Sequence, residues 1–150
     1  MLLHEDISDK ELKQRWRLYW IQSIFEFSNT KLQQMAWVQG SRADWPNGEV
    51  WDSSFEGCLS AYFDDLALDD AYAKAIAWGN VSQEEADQAK LFHQLAVFYD
   101  EPSENPEDIL NDAEWMEVVE SAKVFWDYLK TTVTAKREIE LMQKLEKDFS

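Results

Sequence analysis

Residues 109–133 read ILNDAEWMEVVESAKVFWDYLKTTV, and apolar side chains recur along this stretch every three or four residues. That spacing places them on one face of an α-helix, which predicts a long helix packed against a core. The residues of this face are Trp115, Val118, Val119, Ala122, Phe125, Trp126, Leu129 and Val133. The β-branched run at 131–134 disfavours helix and weakens the end of this element.

Helix-start signals and further apolar stripes extend the same pattern over most of the chain. Ser8 and Ser82 are each followed three residues later by glutamate, which is the capping-box pattern. Asn105 before Pro106 is a typical helix start, and Gly79 is suited to end a helix. No segment has a convincing strand pattern. The expected fold is therefore all-α, a single domain over the whole chain that forms an irregular bundle of five to seven helices.

The helix predicted after residue 82 carries its apolar residues on a wide face. Ala89, Phe92 and Ala96 follow helical spacing. Leu91 and Phe98 are predicted to widen the buried face of this helix.

A C-terminal helix is predicted over residues 135–150. Ile139, Met142, Leu145 and Phe149 form a narrower apolar stripe there among balanced charges. Two arrangements stay open: the helix packs back on the bundle, or it projects from residues 1–134 and mediates oligomerisation.

The acidic charge is concentrated in the middle of the chain. The sequence has 30 acids, 14 bases and a net charge of −16. Residues 44–120 hold 20 of the acids and only Lys74 and Lys90 as bases, whereas both flanks are nearly neutral. Such a field steers cationic partners and disfavours nucleic acid, whose phosphates need lysine and arginine. A basic protein is the expected partner, and aromatic residues among the acids would supply affinity.

Export and membrane insertion are not expected. Residues 1–6, MLLHED, lack the basic and apolar regions of a signal peptide, and no stretch approaches the length of a spanning helix. The single cysteine, Cys58, lies among apolar neighbours and is expected to be a packed thiol without an internal disulfide partner. These features favour a cytoplasmic location.

Clustered carboxylates provide a catalytic alternative. Asp65 and Asp69 are four residues apart and would share a face of a continuous helix, while Glu84 and Glu85 begin the next predicted helix. These four could hold Mg²⁺ in the manner of all-α nucleotide pyrophosphohydrolases. The Glu-x-x-Glu and Glu-x-x-Asp pattern of those enzymes is not reproduced, so a solvated acidic face is the competing interpretation. No cofactor and no catalytic residue are expected otherwise.

Two tryptophans flank a strong turn signal, Pro-Asn-Gly at 46–48. Trp45 and Trp51 either fold back over the edge of the core or line a partner surface, where tryptophan is often an energetic hot spot.

The segment 98–110, FYDEPSENPEDIL, leads into Trp115 and resembles a stretch of the small helical immunity proteins of nuclease bacteriocins. In both, an aromatic pair, an acidic loop and a Pro-Glu helix start precede a Trp-bearing helix. The resemblance implies a bacterial protein that neutralises a basic toxin by occluding its active cleft. The contact residues that it implies, with the two aspartates added by charge, are Tyr99, Asp100, Glu101, Glu104, Asp64 and Asp65.

Three functions therefore stay open. The leading one is an immunity or inhibitor-type protein. The others are a Mg²⁺-dependent phosphohydrolase and a phage-derived assembly subunit that oligomerises through residues 135–149.

Overall fold

The computed structural model describes residues 8–39, 45–46 and 50–150. These residues form eight α-helices and no strand, which confirms the all-α prediction. The helices are α1 (Asp9–Ser28), α2 (Thr30–Gln33), α3 (Phe55–Ser60), α4 (Ala73–Ala77), α5 (Gln83–Phe98), α6 (Pro106–Leu110), α7 (Ala113–Thr132) and α8 (Lys136–Asp148). None of these helices is long and apolar enough to cross a membrane.

The long helices α1 and α7 form the centre of the bundle. They pack against each other, while α5 packs against α7 and α8 packs against α1. Aromatic rings fill the contact between α1 and α7: the ring centroids are 5.9 Å apart for Trp20 and Phe125 and 6.0 Å apart for Phe27 and Trp115. The apolar face predicted for residues 109–133 is buried from Trp115 to Leu129, so that prediction is confirmed.

Side-chain caps begin most helices where the sequence predicted them. Ser82 forms a complete capping box, because its hydroxyl accepts from the Glu85 amide at 3.0 Å and its own amide donates to the Glu85 carboxylate at 3.0 Å. Ser8 accepts from the Glu11 amide at 3.1 Å, and Asn105 caps α6 with Pro106 as its first residue. Local sequence therefore determines these helix starts.

The C-terminal helix α8 packs back on the bundle. Its stripe residues Met142 and Leu145 are buried, as is Phe149 just after the helix. The first residue before α8 is an alanine that provides no side-chain cap. Tertiary contacts with α1 therefore hold this helix in place, as is usual for helices of this length.

A polar cluster joins α8 to α1 and to the start of α5. The Arg17 guanidinium on α1 donates to Glu138 at 3.0 Å and to Glu85 at 2.9 Å. It also donates to the backbone carbonyl of Asn80 at 2.9 Å and lies over the Trp20 ring. Glu138 is only 4% exposed. We call Arg17, Glu85 and Glu138 the Arg17 cluster.

The Mg²⁺-binding alternative requires one continuous helix from Asp65 to Asp69, and the backbone there is interrupted. A π-helical turn covers Ala61–Asp65, and Ala67, Ala71 and Tyr72 have positive φ angles of 55°, 57° and 76°. Such backbone conformations are strained in residues other than glycine and persist only where surrounding contacts hold them.

Buried hydrogen bonds hold this strained segment. The Tyr72 hydroxyl accepts from the Trp20 indole at 3.1 Å and lies 2.6 Å from the Tyr62 hydroxyl. Tyr62 in turn lies 3.0 Å from His93 Nδ1. Burial lowers the pKa of His93, which favours the neutral form of its ring.

Candidate functional site

The aromatic pair at the end of α5 is divided between the core and the surface. Tyr99 is 8% exposed, its ring lies 5.1 Å from that of Trp115, and its hydroxyl donates to Asp112 at 2.8 Å. Burial and the neighbouring Asp112 carboxylate raise the pKa of Tyr99. Phe98, in contrast, is 80% exposed. Tyr99 therefore anchors the following acidic loop, and Phe98 is the aromatic residue that a partner can reach.

The prediction that Leu91 and Phe98 widen the buried face of α5 is wrong. Leu91 is 62% exposed, and the buried residues of the helix include Phe92 and Ala96. On a helical wheel, Leu91 and Phe98 lie together on the side opposite that buried face. The spacing of Leu91 and Phe98 from Ala89, Phe92 and Ala96 gives the same relation in the sequence, and it outweighs their apolar character.

Exposed carboxylates lie near Leu91 and Phe98 on α5 and near the exposed apolar residue of the neighbouring α7. Asp87 and Glu84 precede Leu91 by four and seven residues, and both are exposed. On α7, exposed Glu117 precedes exposed Val124 by seven residues, so the two share a face. The two helices run antiparallel, since Glu84 and Tyr128 line one surface hollow and Tyr99 contacts Trp115 at the other end.

The acidic loop after α5 extends this surface. Asp100, Glu101 and Glu104 are exposed. The loop is held at one end by Tyr99 and at the other by Ser103, whose hydroxyl donates to Asp108 at 2.6 Å. We call the following set the Phe98 surface: Leu91, Phe98, Val124, Glu84, Asp87, Asp100, Glu101, Glu104 and Glu117.

The remaining residues proposed for partner binding lie elsewhere. Asp64 accepts from Ser60 at 2.9 Å, and Asp65 accepts from the Tyr19 hydroxyl of α1 at 2.9 Å. Both aspartates are exposed, but Asp65 lines a cleft beside α1 and does not belong to the Phe98 surface.

Both tryptophans near the turn pack against the C-terminal end. The ring centroids of Trp45 and Trp51 lie 5.9 Å and 5.8 Å from that of Phe149. Trp45 is buried and Trp51 is half-buried. Of the two arrangements left open by the sequence, the structure has the one in which they fold back over the core.

Three of the four carboxylates of the metal alternative have other contacts. Glu85 is bound by Arg17, Asp65 by Tyr19, and Asp69 lies 4.0 Å from the Lys74 ammonium. The backbone between residues 65 and 69 is not one continuous helix. In the part of the chain that the structure describes, no three His, Cys, Asp or Glu residues are grouped to hold a metal ion.

A cleft of about 1000 Å³ lies between α1, residues 50–65 and α8. Glu26 lines it and is only 6% exposed. Its Oε2 atom accepts from the Trp37 indole at 3.0 Å and from the Ser53 hydroxyl at 2.6 Å, whereas Oε1 has no hydrogen bond to any described residue. Burial raises the pKa of Glu26, and the hydrogen bonds from Ser53 and Trp37 only partly offset this effect.

Ser23, one turn before Glu26, also lines this cleft, and its buried hydroxyl has no partner among the described residues. We call the space lined by Tyr19, Ser23, Glu26, Trp51, Ser53 and Leu141 the Glu26 cleft. No sequence pattern described above predicts this cleft. The available signal was a carboxylate in the apolar run SIFEF at residues 23–27.

Comparisons with protein-family models, with curated proteins and with solved structures give no match for this chain. Its function is therefore argued from its own side chains.

Proposed function

We propose that this protein binds a basic protein through the Phe98 surface and neutralises it, as an immunity or inhibitor-type protein of the bacterial cytoplasm would. The observation that carries the proposal is Phe98, an 80% exposed aromatic ring with the exposed carboxylates of Asp100 and Glu101 two and three residues later. Large apolar side chains on a charged surface often mark a protein interface.

The two components of the surface have different physical roles. Burying a phenylalanine side chain contributes about 1.5–3 kcal/mol, which makes Phe98 and Leu91 the source of affinity. The carboxylates accelerate encounter with a cationic partner and favour one orientation of it. The nearest lysines do not neutralise the carboxylates of the Phe98 surface. Lys123 pairs with Glu120, and Lys90 is the only base on α5.

The anchored loop gives the surface a defined shape before binding. Because Tyr99 is fixed against Trp115 and Asn105 caps α6, few loop residues remain to be ordered by a partner. A smaller ordering cost leaves more of the contact energy as affinity. Inhibition would follow from occlusion: the loop carboxylates would occupy positions that substrate phosphates take in a basic active cleft.

Site-specific cross-linking in the native host tests the proposal. A photoreactive phenylalanine analogue replaces Phe98, and a matched chain carries it at Val97, which is exposed on another side of the same helix. We expect the analogue at position 98, and not at position 97, to give an adduct with one basic protein.

Binding of the purified partner completes the test. We expect Phe98→Ala to weaken the complex by about 30-fold, as for a hot spot of about 2 kcal/mol. Asp100→Lys with Glu101→Lys should slow association in a salt-dependent way, whereas Glu56→Lys on α3 should not. Equal affinity of wild type and Phe98→Ala, or an adduct only at position 97, would refute the proposal.

A further inference from the structure

The Glu26 cleft contains a buried carboxyl group for which the described chain provides no cation. A carboxylate removed from water is strongly destabilised unless an opposite charge or several hydrogen bonds compensate it. At Glu26 both hydrogen bonds reach the same oxygen, Oε2, from Trp37 and Ser53. The other oxygen, Oε1, is left for a group that enters the cleft.

The basic residues that line the cleft already bind other carboxylates. Arg15 and Arg137 both donate to Glu11, at 2.9 Å in each case, and Lys144 donates to Asp148 at 2.7 Å. An anionic ligand would have to compete with these pairs and would also lie near the Glu26 carboxyl. Four carboxylates line the cleft against these three cations, so the net charge of its lining is negative: Glu26, Asp52, Asp65 and Glu140.

The walls of the cleft suit an organic group. Tyr19 and Trp51 line it together with Leu141, and aromatic faces attract cations as well as apolar chains. Its volume of about 1000 Å³ is that of a small-molecule site. A bare metal ion is disfavoured, because no group of three potential ligands occurs among the residues that the structure describes.

We propose that the Glu26 cleft binds a small organic cation, a primary amine or a guanidine, with the Glu26 carboxylate as its counter-ion. The ammonium or guanidinium group donates to Glu26 Oε1, and its carbon chain lies between Tyr19 and Trp51. This site shares no residue with the Phe98 surface, so each proposal stands or fails without the other.

Binding in this way is linked to a proton. Glu26 must be ionised to pair with the cation, so binding releases the carboxyl proton at any pH at which the free protein still carries it. Affinity therefore rises as the pH rises through the pKa of Glu26. The released proton is measurable by titration calorimetry in two buffers of different ionisation enthalpy.

The experiment uses propylamine, putrescine and agmatine as cationic probes, and propionate and succinate as anionic probes. It is done at an ionic strength of about 0.15 M or above, which screens loose attraction to the acidic surface. We expect the amines to bind and to quench tryptophan fluorescence, and the carboxylates not to bind.

Two variants that each remove one negative charge distinguish the site from general attraction to an acidic protein. Glu26→Gln keeps an acceptor for Trp37 and Ser53 and should weaken amine binding by about tenfold or more. Asp127→Asn, at an exposed residue of α7 outside both the cleft and the Phe98 surface, should leave it unchanged. Tyr19→Leu should weaken binding several-fold through the lost aromatic face.

Three results would overturn the proposal. They are the absence of amine binding at millimolar concentration, equal weakening by Glu26→Gln and Asp127→Asn, and preferential binding of the carboxylate probes. A circular dichroism melt of each variant shows whether it is folded at the temperature of the titration.

Discussion

Replacing Arg17 by methionine should remove the polar connection through which the Arg17 cluster joins α1 to α5 and α8. The methionine keeps an apolar stem over Trp20 but has no donor for Glu85 or Glu138. The guanidinium makes four hydrogen bonds to these two carboxylates, between 2.9 and 3.1 Å. In the variant, Glu138 keeps only the hydrogen bond from Gln14, at 2.9 Å.

The expected loss follows from the burial of these groups. The Arg17, Glu85 and Glu138 side chains are 16%, 13% and 5% exposed, so the cluster is mostly removed from water. Breaking a buried ion pair by removing one partner typically costs about 3–5 kcal/mol. With an m value of about 2 kcal/mol per molar urea, this loss lowers the urea midpoint by about 2 M.

The pH dependence provides an independent measurement. Burial raises the pKa of Glu85, but the hydrogen bonds from Arg17 and Ser82 outweigh this effect and lower it below 4.5. A lowered pKa in the folded state contributes stability that is present above 4.5 and is lost as the pH falls through the folded value. We expect the free-energy difference between wild type and Arg17→Met to shrink in this acidic window.

Urea unfolding followed by circular dichroism at pH 7 and at pH 4 measures both effects. Arg15→Met is the matched control, because Arg15 lies on the same helix and makes only an exposed pair, which contributes little. If Arg17→Met unfolded at the same urea concentration as Arg15→Met at pH 7, the reasoning about the Arg17 cluster would be refuted.

Three further predictions concern single residues. Glu26→Gln should be more stable than wild type at pH 7. The pKa of Glu26 is raised in the folded state, so the stability that the protonated carboxyl contributes is lost as the pH rises through the folded value. The gain in stability of the variant should therefore vanish below pH 4.5. Tyr62→Phe should lower the free energy of unfolding, measured with urea, by about 1–3 kcal/mol, because the Tyr72 hydroxyl and His93 Nδ1 lose the Tyr62 hydroxyl as a buried partner. A loss no larger than that of the exposed Tyr19→Phe would contradict this. Gly79→Ala should lower the free energy of unfolding by about 1–2 kcal/mol, because a φ of 77° is strained in alanine. A clash does not contribute, since the nearest atom to an added Cβ is 3.9 Å away. An unchanged melting temperature would exclude this strain.

The helices themselves were predictable because their signals are local. The apolar face of α7 repeats at helical spacing, and the Ser82 capping box uses two residues three positions apart. Gly79 ends the segment after α4 with a positive φ, as its lack of a Cβ allows. Such features depend only on neighbours along the chain, so they can be recognised in the sequence before the fold is known.

The candidate sites were less accessible to the same reasoning. The acidic loop at Asp100 and Glu101 is exposed as expected, but the aromatic residue beside it that faces outward is Phe98, and Tyr99 is buried. Composition indicates that an aromatic residue belongs to a core or to an interface. Only the orientation of α5 against α7 decides which of two adjacent rings is covered.

The sequence by itself determined an all-α chain, most of its helix starts and a strong acidic excess in residues 44–120. The tertiary structure decided that α8 packs on α1, that Arg17 pairs with Glu138, and that Glu26 lies buried at an open cleft. Arg17 and Glu138 are 121 positions apart in the chain. The environment of a charge depends on the elements that surround it in space, and local periodicity carries no information about them.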